Sequence, residues 1–294
     1  MIEAQALSSS PRVGQSSPSS VVGNALYAVG GSISVDGRLS WYGNEHQGRY
    51  VPFNTYLLKE AQDLLLLESG VPATFASTAS QLREILGADA EVLRLAVTRN
   101  EPDCVANVPH LVRQFALKTV HSPGLMNTLQ FFRADQTGSE STFQHRSTEL
   151  QMLNFGVGCR PAIPGGEVPV SDERSLEVVA VPLKVLPTVW YYDSVTRTMF
   201  CSDSFSDETA VAPDMRVISS VDERDILVGR ARRHFSGKFD WLLRSELSSV
   251  IADLEGIFGR YDIEILAPTR GAVIQGRPAV EAKMNALLTA LSGL

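Results

Sequence analysis

The sequence predicts an α/β fold in which helices cover the outer faces of β-sheets. Stretches typical of strands occur in both halves of the chain, and helical patterns follow them. The 294 residues, 44% hydrophobic and 20% charged, suffice for a sizeable core. In residues 92–104, an apolar run ends abruptly in a turn crowded with ionisable groups. Because α/β folds place their chemistry where strands end, this turn is the first candidate site.

The first half reads as strands interrupted by short helices. Branched and leucine-rich stretches predict the strands, and apolar residues at helical spacing predict the helices. Gly87 follows one helical pattern as a plausible C-cap. The predicted strands are 25–34, 50–59, 64–67, 92–97 and 117–121, and the predicted helices are 74–86, 105–115 and 123–132.

The second half repeats this order with longer helices. A hairpin is predicted over 189–203, with its turn around Asp193 and Ser194. The Gly/Pro-rich residues 156–169 are predicted as a loop. The other predicted elements are strands 149–155, 176–183 and a last strand 262–267, a mostly helical segment 222–257 broken near Ser236 and Gly237, and a closing helix 278–291.

Composition limits the organisation and the partners. Residues 1–22 are rich in Ser and Pro and predict a disordered tail, and residues 23–294 are expected to form a single domain. The net charge of −7 argues against nucleic-acid binding. No apolar run approaches the roughly 18 residues of a membrane span. With only three cysteines and no visible secretory signal, a cytoplasmic location is expected.

Four stretches of the chain carry recognisable motifs: 54–58 with 65–70, the turn 99–104, the segment 199–205 and the segment 267–271. Taken in this order, they resemble segments of the metallo-β-lactamase fold, and within it of the flavodiiron and oxygen-binding diiron proteins. The resemblance covers about residues 25–291. It implies a metallo-β-lactamase-like αββα sandwich, with two mixed sheets flanked by helices. It does not extend to a flavodoxin domain, so bound FMN is not expected.

The resemblance also implies where the metal ligands would stand. The carboxylates of that ligand set are retained at Glu101, Asp103 and Asp203, whereas its four histidines are replaced. The replacements fall on Arg99, Cys104, a position near Val185, and Arg270. No catalytic residue can be assigned from these matches.

Clustered carboxylates without a cation would repel one another and take up protons. Arginine stays charged and can grip a carboxylate with two parallel hydrogen bonds. We therefore expect Arg99 and Arg270 to take the space and the charge of two metal ions, so that no metal or other cofactor binds. The protein would then be a binding, sensing or partner subunit, associating with itself or with a ligand-complete paralogue.

Two alternatives remain open at this point. In the first, the arginines face solvent and the carboxylates are surface turn residues. In the second, Asp103, Cys104 and Asp203 hold one metal, for which cysteine favours zinc. An enzyme would then be expected, either an iron-dependent reductase of oxygen or nitric oxide or a single-metal hydrolase, with Glu101 taking part.

Several other residues are weaker candidates. His46 lies in a loop where the resembled branch has a loop near its site, and it could line a pocket. His234 is expected on a helix face, and Arg230, Arg232 and Arg233 are expected on a solvated one.

Overall fold

The computed structural model of the protein describes residues 13–14, 17–37, 39, 42–88, 91–124, 142–146, 149–154, 157–184 and 186–294. The strands are β1 Val13–Gly14, β2 Ser19–Val22, β3 Leu26–Ser34, β4 Tyr50–Glu60, β5 Asp63–Leu67, β6 Arg94–Ala96, β7 Thr119–Pro123, β8 Thr142–Arg146, β9 Glu149–Asn154, β10 Val157–Ala162, β11 Glu167–Pro169, β12 Ser175–Ala180, β13 Val189–Asp193, β14 Thr198–Phe200, β15 Val217–Ile218, β16 Ile265–Ala267 and β17 Val273–Gln275. The α-helices are α1 Phe75–Leu86, α2 Pro102–Val105, α3 Val108–Phe115, α4 Arg224–Lys238, α5 Ser248–Arg260 and α6 Arg277–Ser292, and 3₁₀ turns lie at Asn44–His46, Pro72–Thr74 and Asp240–Arg244.

These strands form two mixed sheets. The first has the order β1-β3-β4-β5-β6-β7-β10-β9-β8, with β2 also paired to β3. The second has the order β11-β12-β13-β14-β16-β17-β15. Within them β5 pairs in parallel with β6, and β14 pairs in parallel with β16. Because parallel strands end at the same edge of a sheet, the loops that follow each pair lie together.

Side-chain alternation along the strands divides the core into layers. On β4, Leu57 faces the core beneath α1 and α3, whereas Tyr56 lies in the core between the two sheets. On β13, Tyr191 faces the same inner core, whereas Trp190 packs in the core beneath α4, α5 and α6. The layers are therefore helix, sheet, sheet and helix, and the predicted αββα sandwich is confirmed.

Several element boundaries differ from those predicted. The predicted loop 156–169 contains β10 and β11, and β17 follows the strand predicted to be last. In the segment predicted as a tail, β2 pairs with β3. Pro123 ends β7 and does not begin a helix, and the rest of predicted helix 123–132 lies outside the described residues beyond Gly124. Helix α4 continues through the predicted break and ends at Lys238.

Within the described residues, no helix is both long and apolar enough to cross a membrane.

Candidate functional site

The loops that follow the paired parallel strands meet at one edge of the sandwich. Within the first sheet, the Ser69 amide donates to the Cys104 carbonyl at 2.7 Å. Within the second, the Thr269 amide donates to the Ser202 carbonyl at 2.6 Å. These bonds join the four segments of the family resemblance in two pairs. The Arg99 side chain, which donates to Ser202 Oγ, brings the two pairs together at one place.

Arg99 lies at the centre of this place and is only 2% exposed. Its Nε donates to Glu101 Oε2 at 2.5 Å, and its Nη2 donates to Asp103 Oδ2. Its Nη1 donates to Ser202 Oγ at 2.6 Å and lies 3.5 Å from Asp203 Oδ2. One guanidinium thus joins Glu101, Asp103 and Asp203, the three carboxylates that the sequence resemblance assigns to the ligand set, and the alternative in which Arg99 faces solvent is wrong.

The charge states at the centre follow from burial and from these neighbours. Burial by itself disfavours a charged Arg99, but the neighbouring carboxylates of Asp103 and Glu101 raise the pKa of Arg99 above its ordinary value. The guanidinium is therefore always charged. Burial also raises the pKa of the Cys104 thiol well above its usual value, although Arg99 opposes this shift. Cys104 therefore stays a thiol in this arrangement, with its Sγ 3.6 Å from Asp103 Oδ1.

Lys238, at the end of α4, provides a further cation to the same centre. Its Nζ forms an ion pair with Asp203 Oδ2. Burial, followed by the charges of Arg99 and Arg270, lowers the pKa of Lys238 to about 7. Nothing in the sequence pattern points to Lys238, because it lies outside all four segments of the resemblance.

Arg270, the second predicted cation, belongs to this cluster through electrostatic interactions. Burial lowers the pKa of Arg270, whereas Tyr42 and Asp103 raise it. The expectation that two arginines balance three carboxylates is therefore incomplete, since Lys238 is the cation that forms the ion pair with Asp203.

Buried side chains with hydroxyl and carboxyl groups form hydrogen bonds next to the centre. Glu68 Oε1 accepts hydrogen bonds from the Thr98 amide at 3.1 Å and from the Thr98 hydroxyl at 2.5 Å. Thr98 Oγ1 also lies 2.9 Å from Ser202 Oγ, which links the first sheet to the second. Burial raises the pKa of Glu68, and the Thr98 hydrogen bonds oppose that shift.

The loop that carries Arg270 is held by hydrogen bonds from β4. The Asn54 side-chain amide donates to the Pro268 carbonyl at 3.0 Å and to the Gly271 carbonyl at 2.9 Å. The Tyr56 hydroxyl donates to the Pro268 carbonyl at 2.6 Å. Gly271 has φ +89°, and a Cβ there would lie 2.9 Å from the Glu208 carbonyl oxygen. The loop therefore has little freedom to move.

The remaining candidates are placed as follows. Val185 lies outside the described residues. His46 lines a pocket beside the centre, and so does His234. The sequence predicts that His234 lies on a helix face, but the side chain is buried. Its Nε2 lies 3.0 Å from the Asp203 carbonyl oxygen. Arg230 also departs from a solvated face, since it pairs with buried Glu208 at 3.1 Å.

Comparison with known proteins defines the class of fold. No protein-family model matches the sequence, and no curated protein matches it. Solved structures do match, and they are metallo-β-lactamase-like flavodiiron proteins, so the predicted resemblance is confirmed at the level of the fold.

The matching structures include rubredoxin oxygen:oxidoreductase from Desulfovibrio gigas, with a TM-score of 0.67 and 11% identity over 94% of this chain and 61% of that one. The flavodiiron protein from Giardia intestinalis has a TM-score of 0.66 and 13% identity over 94% of this chain and 59% of that one. A fragment of a diflavin flavoprotein from Nostoc sp. has a TM-score of 0.65 and 10% identity over 92% of this chain and 94% of that one. The chain thus spans about three fifths of the first two proteins.

The residues at this centre do not fit a pair of iron ions. Iron in carboxylate sites is held together with imidazole ligands, whereas the side chain at the middle of this centre is the buried arginine Arg99. The Arg99 guanidinium has no lone pair to offer a metal, and it engages Glu101, Asp103 and Asp203 itself. In the part of the chain that the structure describes, no group of three or more His, Cys, Asp and Glu side chains could hold a metal ion.

Proposed function

We propose that this chain is a flavodiiron-like protein whose metal centre has degenerated into a network of charged side chains, and that it acts as a binding, sensing or partner subunit without diiron redox chemistry. The observation that carries the proposal is the position of Arg99. It is buried and engages all three carboxylates inferred to be former iron ligands.

The network neutralises a cluster of negative charges, which two metal ions would neutralise in a diiron site. Glu101, Asp103 and Asp203 bring three negative charges together, and Arg99 supplies a permanent positive charge among them. Lys238, whose pKa is lowered to about 7, supplies a partial positive charge directly at Asp203 near neutral pH. With these cations in place, the carboxylates have partners and need not take up protons.

The enzyme alternatives would require this network to open. A metal bound by Asp103, Cys104 and Asp203 would have to displace Arg99 from two carboxylates and Lys238 from one. It would also have to remove the proton from the buried Cys104 thiol, since zinc binds the thiolate. These costs favour the charge-network proposal over an oxidoreductase or a hydrolase.

We also propose that the chain associates with a second copy of itself or with a ligand-complete paralogue, as the sequence resemblance implies. Purification of the tagged chain from its native cells, with the molecular mass of the complex measured by light scattering, tests this. A co-purifying, histidine-bearing homologue or a homodimer supports it, and a monomer contradicts it. The cytoplasmic location stays a prediction.

Metal analysis tests the main proposal. The chain is purified without chelator, incubated anaerobically with excess ferrous iron or zinc, desalted and analysed by plasma mass spectrometry. The Giardia flavodiiron protein, handled identically, is the positive control. We expect no stoichiometric iron or zinc in this chain, and a retained pair of irons per chain would contradict the proposal.

A further inference from the structure

A pocket of about 410 Å³ opens beside the charged centre. One wall is the loop that contains Tyr42 and His46, and the other is one face of α4. Leu243 also lines the pocket. A volume of this size suits a small ligand.

The α4 wall presents two positively charged groups to the pocket, Arg230 and Arg233. His234, a neutral imidazole near pH 7, lies on the same face of the helix, since the three residues are spaced three and four apart. All three line the pocket. Arg230 pairs with Asp222 at 2.7 Å as well as with Glu208, and Arg233 pairs with Glu45 at 2.9 Å across the pocket.

The ion pair between Arg233 and Glu45 is weak. Their side chains are 61% and 41% exposed, whereas that of Arg230 is 12% exposed. Exposed ion pairs stabilise a protein by only about 0–1 kcal/mol. A ligand anion can therefore replace Glu45 at Arg233 at little cost. Guanidinium groups match carboxylate and phosphate oxygens with paired hydrogen bonds.

The pocket's own buried acid, Asp207, has a cation of its own. Asp207 lines the pocket, and its Oδ2 accepts a hydrogen bond from the buried Lys283 ammonium at 2.6 Å, which also pairs with Glu208 at 3.0 Å. Because Arg230 shares buried Glu208 with Lys283, Arg233 is the arginine whose charge is more available to a ligand. Burial, followed by the charge of Arg230, lowers the pKa of His46. His46 is therefore neutral near pH 7. A neutral imidazole can donate its ring N–H to an anionic ligand.

We propose that this pocket binds a small anion, a carboxylate or a phosphate, through Arg230 and Arg233, with His46 on the opposite wall as a neutral hydrogen-bonding partner. The inference rests on the proposed function, since it gives the binding subunit a ligand class. Glu45 acts as an internal competitor that holds Arg233 until the ligand arrives.

Isothermal titration calorimetry of the full chain at pH 7 tests this, with inorganic phosphate and succinate as separate probes and sodium chloride keeping the ionic strength constant. We expect saturable one-site binding of at least one probe, and the probe that binds identifies phosphate or carboxylate as the ligand class. Arg233→Gln should weaken binding at least about tenfold, because it removes a charge-assisted paired contact. Arg232→Gln changes another exposed arginine of α4, one that does not line the pocket, and should change binding by less than about twofold.

Glu45→Gln provides a test in the opposite direction. Because it removes the competing carboxylate, it should tighten binding of the same probe by about two- to fivefold. Absence of binding by both probes, or equal weakening by Arg232→Gln and Arg233→Gln, would overturn the inference. Either result leaves the metal analysis unchanged, whereas retained iron would contradict the proposed function without affecting anion binding.

Discussion

Replacing Arg99 with glutamine is the perturbation that bears most directly on the charged centre. The substitution keeps a polar side chain of moderate length but removes the positive charge and the fork of N–H donors. Glu101, Asp103 and Asp203 would then lose their shared partner. Lys238 would remain, but its ion pair is with Asp203 alone among them.

The expected magnitude follows from how deeply each partner is buried. Glu101 has a 33% exposed side chain and can be solvated, so its pair contributes only about 0–1 kcal/mol. Asp103 and Asp203 are 14% and 7% exposed and cannot be solvated in the same way. Removing one partner of a buried pair costs about 3–5 kcal/mol. We therefore expect Arg99→Gln to destabilise the protein by about 3–5 kcal/mol, which lowers Tm by roughly 6–10 °C in a domain of this size.

Urea unfolding followed by circular dichroism, together with differential scanning calorimetry, measures this change. Arg197→Gln is the matched control. Arg197 pairs with Asp262 and Glu264 but has a 46% exposed side chain, so its loss should cost no more than about 1 kcal/mol. Adding Asp103→Asn to Arg99→Gln should recover more than about 1 kcal/mol, because it removes an unpaired charge. An Arg99→Gln protein that melts within a degree or two of the parent would refute this reasoning.

Three further substitutions test neighbouring features by the same unfolding measurements. Lys238→Gln should lower the free energy of unfolding by roughly 1–3 kcal/mol. This is less than for Arg99→Gln, because Asp203 keeps the Arg99 guanidinium 3.5 Å away. A larger loss than for Arg99→Gln would show that Lys238 stabilises the centre more than Arg99 does. Burial lowers the pKa of His234 from 6.5 to about 4, so the unfolded state binds more protons between these values and stability falls as pH drops from 6.5 to 4. His234→Gln should flatten that fall by up to roughly 3 kcal/mol, and an unchanged pH profile would contradict a buried neutral imidazole. Gly271→Ala should destabilise by more than about 1 kcal/mol because of its positive φ and close carbonyl contacts, whereas Gly256→Ala in α5, with open space around it, should not destabilise at all; equal effects would show that the site loop tolerates a Cβ.

The sandwich itself could be predicted because its strongest signals are local. Continuous leucines at 64–67 and the stretch 50–59, rich in apolar and aromatic residues, predict β5 and β4 to within a residue, and Gly87 marks the end of α1. Strands β10 and β17 were missed for a physical reason. β17 has only three residues, and β10 contains Gly158 and Pro161, so their strand conformation depends on pairing with β16 and β7 rather than on local preference.

The candidate site was predictable only where motif segments carry its residues. Arg99, Glu101 and Asp103 fall within six consecutive residues, and their order is enough to suggest a shared centre. Lys238 could not be found this way. The Ser236–Gly237 pair suggests a helix break, yet packing of α4 on α6 extends the helix by one residue beyond it. That continuation is what places Lys238 at Asp203, and it is a tertiary effect.

The central claim is that cationic side chains stand where the resembled proteins hold metal ions. Crystals of the chain soaked in ferrous iron and measured at the iron absorption edge test it most directly, because anomalous scattering locates iron independently of any assumption about the ligands. We predict ordered density for the Arg99 guanidinium against Glu101 and Asp103, with no anomalous peak at the centre. A strong peak within bonding distance of Asp103 or Asp203, with Arg99 turned away from both, would contradict the account.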